Sequence, residues 1–375
     1  MKILFAGGGT AGHIIPIVAI ARELRKIRPQ NDLKLFFIGP RDDFGYVLLS
    51  QENIKVKTVF AGKIRRYLDW KTILRNFVDV CIKIPIGIIQ SFFHIFFMSP
   101  DLVFSKGGFG SIPVVIAAKM LFVPVFLHES DVAPGAANKF LSDLTFKIFV
   151  SFPKTEYFPR EKMVLVGNPT RKELMDSPKE EAKKFFNLNS NKPVILILGG
   201  SQGSQRINDG ILDILPQLLK DFELIHQCGE NNYQTTRAES KAVMKTEEEP
   251  FYHLFPFLKE PELRRAYAVA DLIISRAGAG SIFEIAAVAK PSILIPLPEA
   301  AQNHQVKNAY SYQENGACLV IEENNFTPSL FLEKLKTLFI GQEELKRMAE
   351  KAKTFSKIEA AKTIANYLNK YLNEK

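Results

Sequence analysis

The stretches ILFAGGGTAG (residues 3–12) and ILILGGSQGS (residues 195–204) carry one pattern twice: an apolar strand that runs straight into a glycine-rich turn. Working outward from the first copy, the runs KILFA, LKLFFIG, KTVFA, DLVFS, VPVFLHE, KIFVS and MVLVG alternate with helical patterns. From the second copy the series restarts as VILILGG, FELIHQ, YHLFPF, DLIISR, SILIP and ACLVI. Short β-branched and aromatic runs separated by helices predict parallel sheets wrapped by helices. The repeat therefore predicts an α/β chain of two Rossmann-like, doubly wound domains facing across a cleft. The expected boundaries are 1–165 for the first domain and 166–345 for the second. VGNPTRKEL (166–174), broken at Pro169, is the expected hinge, and charged, Ala-rich helices at about 346–375 are expected to pack back on the first domain.

A chain of 375 residues with 46% hydrophobic and 24% charged residues suits two folded domains rather than a disordered chain. The net charge of +9 favours an anionic partner: nucleic acid, a phosphorylated small molecule or an acidic membrane surface. Cys81, Cys228 and Cys318 are scattered, which suggests structural thiols in a reducing compartment and no zinc site. Glycines and His13 interrupt the apolar N-terminus and argue against a signal peptide. The apolar segment IPIGIIQSFFHIFFM (84–98), broken by Pro85, Gln90 and His94, falls short of the ~20 residues needed to span a bilayer.

Four loops that follow expected strands are glycine-rich: GGGTAGH (7–13), KGGFG (106–110), GGSQGS (199–204) and RAGAGS (276–281). Glycine permits positive φ and removes the Cβ that would hold an anion off the backbone, while the helix start offers unpaired N–H groups. Such loops suit a diphosphate, although a single one can serve a tight turn alone. Gly7, Gly9 and Gly12 also satisfy G-x-G-x-x-G, so an NAD(P)-dependent oxidoreductase is an alternative; the acidic residue expected about 20 residues on is displaced, with Asp42 lying thirty past Gly12.

In order along the chain stand GGGTAGHIIP, GGFGSIP, HESDVAPGAANK, GNPTR, GGSQGS, RAGAGSIFEIAA and QNHQVKNA. From about residue 3 to 325 this set resembles the MurG family of GT-B glycosyltransferases. The resemblance implies inverting transfer of N-acetylglucosamine from UDP-GlcNAc to undecaprenyl-diphosphoryl-MurNAc-pentapeptide (lipid I), giving the β-1,4 bond of lipid II in peptidoglycan and cell-wall synthesis. It further implies a donor held mainly by the C-terminal domain, a lipid-linked acceptor held mainly by the N-terminal one, a peripheral site at the cytoplasmic face of the cell membrane, and contacts with other cell-wall synthesis proteins. It implies neither a cofactor nor a nucleic-acid partner. A related GT-B enzyme with another sugar or lipid acceptor is the nearest rival reading.

Inversion at an anomeric carbon needs a base near the attacking hydroxyl and stabilisation of the departing UDP, not a protein nucleophile. His13 is the candidate base, since an imidazole titrates near neutrality; a histidine that only steadies the loop or a phosphate is the plainer reading. Glu129 and Asp131 are the alternatives. Where the family often carries HEQN, this chain has HESD, so Asp131 brings a charge in place of an amide. The resemblance assigns substrate binding to Thr10, Ala11, Gly12, Asp131, Arg171, Ser201, Leu258, Ala279, Gly280, Ser281, Glu284, Gln302 and Gln305. Within that set Glu284 would grip the ribose hydroxyls, Ser201 a donor phosphate, Arg171 the diphosphate or uridine side, and the Leu258 backbone the uracil. Ser281-Ile-Phe-Glu284 also fits an S-x-x-E capping box, which needs no ligand. Gln302 and Gln305, three apart, are expected on one helical face, reading sugar hydroxyls and the acetamido group. No His, Cys or Asp cluster has metal spacing, and helix termini can carry leaving-group charge without an ion.

Between Lys63 and Met98, Lys63, Arg65, Arg66, Lys71, Arg75 and Lys83 are interleaved with Tyr67, Leu68, Trp70, Phe77, Ile82, Ile86 and Phe92. Basic residues beside large apolar ones suggest docking on an anionic membrane surface, against the simpler alternative of a core helix with a solvated basic face.

Overall fold

The computed structural model describes the chain except residues 9–10, 30–31, 64, 66–68, 156, 189, 201–202 and 375, and the side chains of residues 11 and 44. The chain divides into two compact units, one of Met1–Arg171 with Lys357–Lys375 and one of Lys172–Ser356.

Among the described residues, each run read as a strand meets one, but KTVFA (57–61) overlaps its strand, Lys55–Thr58, only at Lys57 and Thr58. The first unit carries β1 (Lys2–Ala6), β2 (Lys34–Gly39), β3 (Lys55–Thr58), β4 (Leu102–Ser105), β5 (Val125–Glu129), β6 (Lys147–Val150) and β7 (Met163–Leu165). They form a parallel sheet in the order β3-β2-β1-β4-β5-β6-β7. The second unit carries β8 (Val194–Leu198), β9 (Glu223–Gln227), β10 (Tyr252–Phe255), β11 (Leu272–Ser275), β12 (Ser292–Leu294) and β13 (Cys318–Val320), parallel in the order β10-β9-β8-β11-β12-β13.

In both sheets the strand order reverses once, between β1 and β4 and between β8 and β11. Ala6 pairs with Ser105 and Leu198 with Ser275, so each pair of strands ends level at its carboxyl edge. That reversal is where helices leave to opposite faces of a doubly wound sheet and a ligand-sized crevice opens. All four glycine-rich loops follow these four strands.

Side chains alternate across β1, sending Ile3 and Phe5 into one core layer and Leu4 and Ala6 into the other. The helix Ala360–Asn373 seals the first layer with Ala361, Ile364, Ala365 and Leu368, and Tyr367 and Tyr371 set ring edges against Phe126.

Two boundaries differ from those expected. The first unit runs past 165 because the strand edge continues beyond β7: the N–H groups of Val166 and Gly167 both donate to Val150, and Asn168 accepts from Ser130. The return occurs at Lys357 rather than about 346, because the helix Gln342–Phe355 buries Met348 in the second unit's core and sets Phe355 tilted against Phe283 and edge-on to Tyr312.

The apolar segment also differs from its reading. Helix Trp70–Val78, a π-helical turn Asp79–Lys83 and helix Ile84–Met98 follow without a break, giving 29 residues that are, by length and composition only, enough to cross a membrane. Pro85 was expected to break the run, but the wider turn just ahead of it carries the chain through a residue that cannot donate to the helix. Asp79 is buried in that turn, where it takes ion pairs from Arg65 at 2.7 Å and from Lys83, plus the Lys63 N–H. One face of the run is fixed: Gly87, Ser91 and Ile95, four apart, are buried, and a Cβ on Gly87 would stand 1.9 Å from the Phe60 carbonyl oxygen. Its other faces are open, with Trp70 70% and Phe97 79% exposed and Ile73, Leu74, Phe77, Ile89, Phe93 and Phe96 also on the surface.

Candidate active site

The first unit's site is built where β1, β4 and β5 end. Gly8 (φ +130°), Gly107 (φ +83°) and Gly108 (φ +77°) hold backbone that a side chain would strain. The loops are close: a Cβ on Gly108 would lie 2.9 Å from His13 Cε1, and one on Gly7 would lie 3.3 Å from Lys106 Cβ. His13 is half-buried in the first turns of the helix Ala11–Ile27. Burial, then the neighbouring Lys106 ammonium, lowers its pKa to about 4 against a hydrogen bond with the Gly8 backbone, so the imidazole is neutral at physiological pH.

Glu129 ends β5 almost wholly buried, and both its oxygens are engaged. Oε1 accepts from the Asp131 N–H at 2.9 Å and Oε2 from Asn138 Nδ2 at 2.8 Å. Asn138 Oδ1 in turn accepts from the Gly108 N–H at 3.1 Å, so one carboxamide ties the KGGFG loop to the carboxylate. Burial first, then Asp131, raises the Glu129 pKa, while the Asp131 N–H, Lys106 and Asn138 oppose the shift. Asp131 is half-buried. His128 is fully buried, its Nε2 3.1 Å from the Gly167 carbonyl oxygen, and burial holds it neutral.

Lys106 and Asn138 are the members of this cluster that sequence reasoning missed. The KGGFG motif marked the loop, but nothing in it says that the lysine is buried. GAANK likewise does not say that its asparagine reaches β5.

In the second unit the loops after β8 and β11 are joined by a buried arginine. Arg276 donates from Nη2 to Ser204 Oγ at 2.6 Å and from Nη1 to the Ile295 carbonyl at 3.1 Å, and pairs with Glu323. Ser204 caps the helix Gln205–Leu212 through the Ile207 N–H. Gln227, at the end of β9, donates to the Gly200 carbonyl at 3.1 Å and accepts the Leu258 N–H at 3.0 Å. Of the Leu258 backbone, the N–H is therefore occupied within the protein.

The helix Ala279–Ala287 starts with Gly278 as its N-cap, which places Ala279, Gly280 and Ser281 in its first turn, with backbone N–H groups that have no partner inside the helix. The S-x-x-E capping box does not form: Ser281 lies two residues inside the helix start, not at the cap. Glu284 is half-buried one turn further on and accepts from Tyr267 Oη at 3.3 Å. Neither Gly278 nor Gly280 has anything within 4 Å of where a Cβ would stand.

The glutamines do not share a helical face. Gln302 and Asn303 both have φ +57°, and the helix His304–Gln313 begins only after them. Gln302 is exposed, while Gln305 Oε1 accepts the Leu297 N–H at 3.0 Å. Arg171 is the half-buried last residue before the unit boundary, and Gly12 is exposed at the helix start after β1. Thr10, Ser201 and the Ala11 side chain lie outside the described residues.

Two doubly wound parallel-sheet units, each with two glycine-rich loops at the reversal of its strand order, define the GT-B class of fold. Residues 3–150 match the glycosyltransferase family 28 N-terminal domain and residues 194–364 match its C-terminal domain. The chain is 39% identical to the UDP-N-acetylglucosamine--N-acetylmuramyl-(pentapeptide) pyrophosphoryl-undecaprenol N-acetylglucosamine transferase of Clostridium tetani (strain Massachusetts / E88), over 92% of this chain and 91% of that one. It is 36% identical to the enzyme of the same name from Clostridium kluyveri, over 99% of each. The chain belongs to this family of N-acetylglucosamine transferases. The crystal structure of Acinetobacter baumannii MurG superposes with a TM-score of 0.73 at 25% identity, covering 98% of this chain and 99% of that one. A UDP-GlcNAc 2-epimerase from Neisseria meningitidis, solved with UDP-GlcNAc, superposes at 0.67 with 18% identity over 99% of this chain and 100% of that one, a likeness of fold alone.

Proposed function

We infer that the chain transfers N-acetylglucosamine from UDP-GlcNAc to the muramyl sugar of lipid I, with inversion, forming lipid II. The observation that carries this reading is the near full-length identity to transferases of that name, on a chain whose four glycine-rich loops follow the strands at both sheet reversals.

We assign the donor to the second unit. The free N–H groups of Ala279, Gly280 and Ser281 and the positive end of their helix suit the pyrophosphate, and they stabilise the UDP that leaves with the bonding electron pair. Glu284, held by Tyr267 Oη one turn into the same helix, takes two ribose hydroxyls, and Ser201 takes a phosphate oxygen. Gln302 and the Gln305 amide group read the sugar from separate backbone segments. The Leu258 carbonyl is the backbone group left for uracil, and the family pattern gives Arg171 the diphosphate or uridine side.

The acceptor belongs to the first unit, where Thr10, Ala11 and Gly12 cradle its diphosphate. His13 takes the proton of the attacking hydroxyl as the bond to the anomeric carbon forms and the bond to UDP breaks. It is neutral and half-exposed, as a base must be to meet substrate. Glu129 is buried with both oxygens engaged, so it orients the loops around His13, and Asp131 accepts from a sugar hydroxyl.

The open faces of residues 70–98 dock on an anionic bilayer surface. The packed Gly87-Ser91-Ile95 face favours lying on the membrane over crossing it. Lys63, Lys71 and Arg75 are exposed and each adds roughly 1 kcal/mol near anionic lipid, whereas Arg65 and Lys83 are committed to Asp79.

A radiolabelled transfer assay with a lipid I analogue, offering UDP-GlcNAc, UDP-GalNAc and UDP-glucose in turn, tests the function. Product from UDP-GlcNAc alone is expected; transfer from another donor only, or hydride exchange with NAD(P)H instead, overturns it. Vesicle flotation tests the docking: binding should rise with anionic lipid and fall in a Phe93→Ser, Phe97→Ser variant.

A further inference from the structure

We propose that Lys106 is a positioning residue of the first unit's site, whose buried ammonium balances the two carboxylates of the Glu129-Ser130-Asp131 turn and pins that turn through Ser130. The proposal rests on the assignment of this turn to the acceptor site and adds a residue to it.

Lys106 is 2% exposed at the end of β4. A lysine is rarely buried so far unless it is paired. Its Nζ donates to Ser130 Oγ, and Ser130 Oγ donates onward to Asn168 Oδ1 at 2.7 Å. The ammonium is therefore anchored to the residue between the two carboxylates. Its backbone is fixed as well, because the Lys106 N–H donates to the Ala6 carbonyl at 2.7 Å. The charged and titratable groups that act on it or feel it come from three elements: His13 from the helix after β1, His128 and Glu129 from β5, and Asp131 from the loop that follows. Both histidines are neutral, so Lys106 is the cation among these groups, set beside the two carboxyl groups of the turn.

The HESD sequence gives this arrangement its purpose. An asparagine in place of Asp131 would leave Glu129 as the turn's only carboxylate. With Asp131 present, a second carboxyl group shares the turn and raises the Glu129 pKa, a shift that Lys106 opposes. Burial lowers the Lys106 pKa, while Glu129 and Asp131 raise it, and Lys106 in turn holds down the Glu129 pKa against burial and Asp131.

A double-mutant cycle tests this with Lys106→Met, Asp131→Asn, the pair combined, and Lys106→Arg. Lys106→Met should lower kcat/KM for the acceptor by roughly 10- to 100-fold, the scale of a misplaced catalytic group, and move the acid limb of the pH profile upward. Adding Asp131→Asn to Lys106→Met should recover at least about tenfold, and Lys106→Arg should keep the parent's pH profile. Effects that simply multiply, or an unmoved acid limb in Lys106→Met, overturn the proposal. The His13 Cε1–H resonance gives a readout independent of transfer: it should titrate at higher pH in Lys106→Met than in the parent, and an unchanged titration overturns the proposal even if the chain proves to transfer another sugar. If Lys106→Met alone does not fold, the combined variant and Lys106→Arg carry the same comparisons.

Discussion

Gly280→Ala separates a glycine kept for a ligand from one kept for the fold. Gly280 is in the first turn of the helix Ala279–Ala287, and no protein atom stands within 4 Å of where its Cβ would be. Alanine is better than glycine inside a helix by about 0.5–1 kcal/mol, so the substitution should leave the melting temperature unchanged or raise it slightly. If the Gly280 N–H meets a phosphate oxygen, the new methyl disturbs a hydrogen bond to a charged group worth about 1.5–3 kcal/mol, and UDP should bind about 10- to 150-fold more weakly. Calorimetric titration with UDP beside a thermal melt reads both quantities. Gly203→Ala is the contrast: its φ is +78° and its Cβ would stand 2.1 Å from the Cys228 carbonyl oxygen, so stability and binding should fall together. A Gly280→Ala protein that melts normally and binds UDP within twofold of the parent refutes the donor assignment.

Other substitutions probe the remaining parts. Glu284→Gln should weaken UDP binding about tenfold with little change in stability, and equal affinity for UDP and for its 2′,3′-dideoxy analogue in the parent would contradict a ribose contact. Gly107→Ala should cost about 3–5 kcal/mol in urea denaturation, because alanine is strained at φ +83° and its Cβ would stand 1.9 Å from Asn138 Oδ1; Gly135→Ala, in open space, should be silent. His226 is buried between Tyr252 and Asn208 with its pKa lowered to about 3, so its stabilising effect is complete above pH 6.5 and falls away towards pH 3 by about 5 kcal/mol, and His226→Gln should flatten that acid limb. Glu129 has the opposite sign: its raised pKa means that the folded chain holds a proton the unfolded chain has lost, so stability declines as pH rises from about 4.5 toward 7, and Glu129→Gln should remove that slope.

The central strands of both sheets were legible because strands buried on both faces must be apolar throughout, whereas the edge strand Lys55–Thr58, mostly exposed and half lysine, was placed two residues late. The four glycine-rich loops were legible for a related reason: the chain must leave the strand and open a helix within a few residues. What sequence spacing could not convey is where a helix starts within such a loop. The AGAGSIFE stretch permits a cap at either Gly278 or Ser281, and the choice of Gly278 turns Glu284 from a capping partner into a side chain one turn inside. At Gln302 and Asn303 two successive left-handed residues undo a helical spacing that reads perfectly well on paper. Lys106, Asn138 and Glu129 come from three separate segments, so no local pattern joins them. Pro85 misled for a different reason, since a proline just after a π-helical turn no longer interrupts the helix.

The helix Ala360–Asn373 has a consequence for how the protein is made. It supplies part of the first unit's core, yet the ribosome reaches it only after the whole second unit has been translated. The nascent N-terminal half must therefore wait with Phe126 and Phe149 uncovered while a later neighbour matures ahead of it. Chaperone capture during synthesis should fall on that bare sheet face, and a premature stop near Lys357 should produce a chain whose second unit is sound and whose first is not.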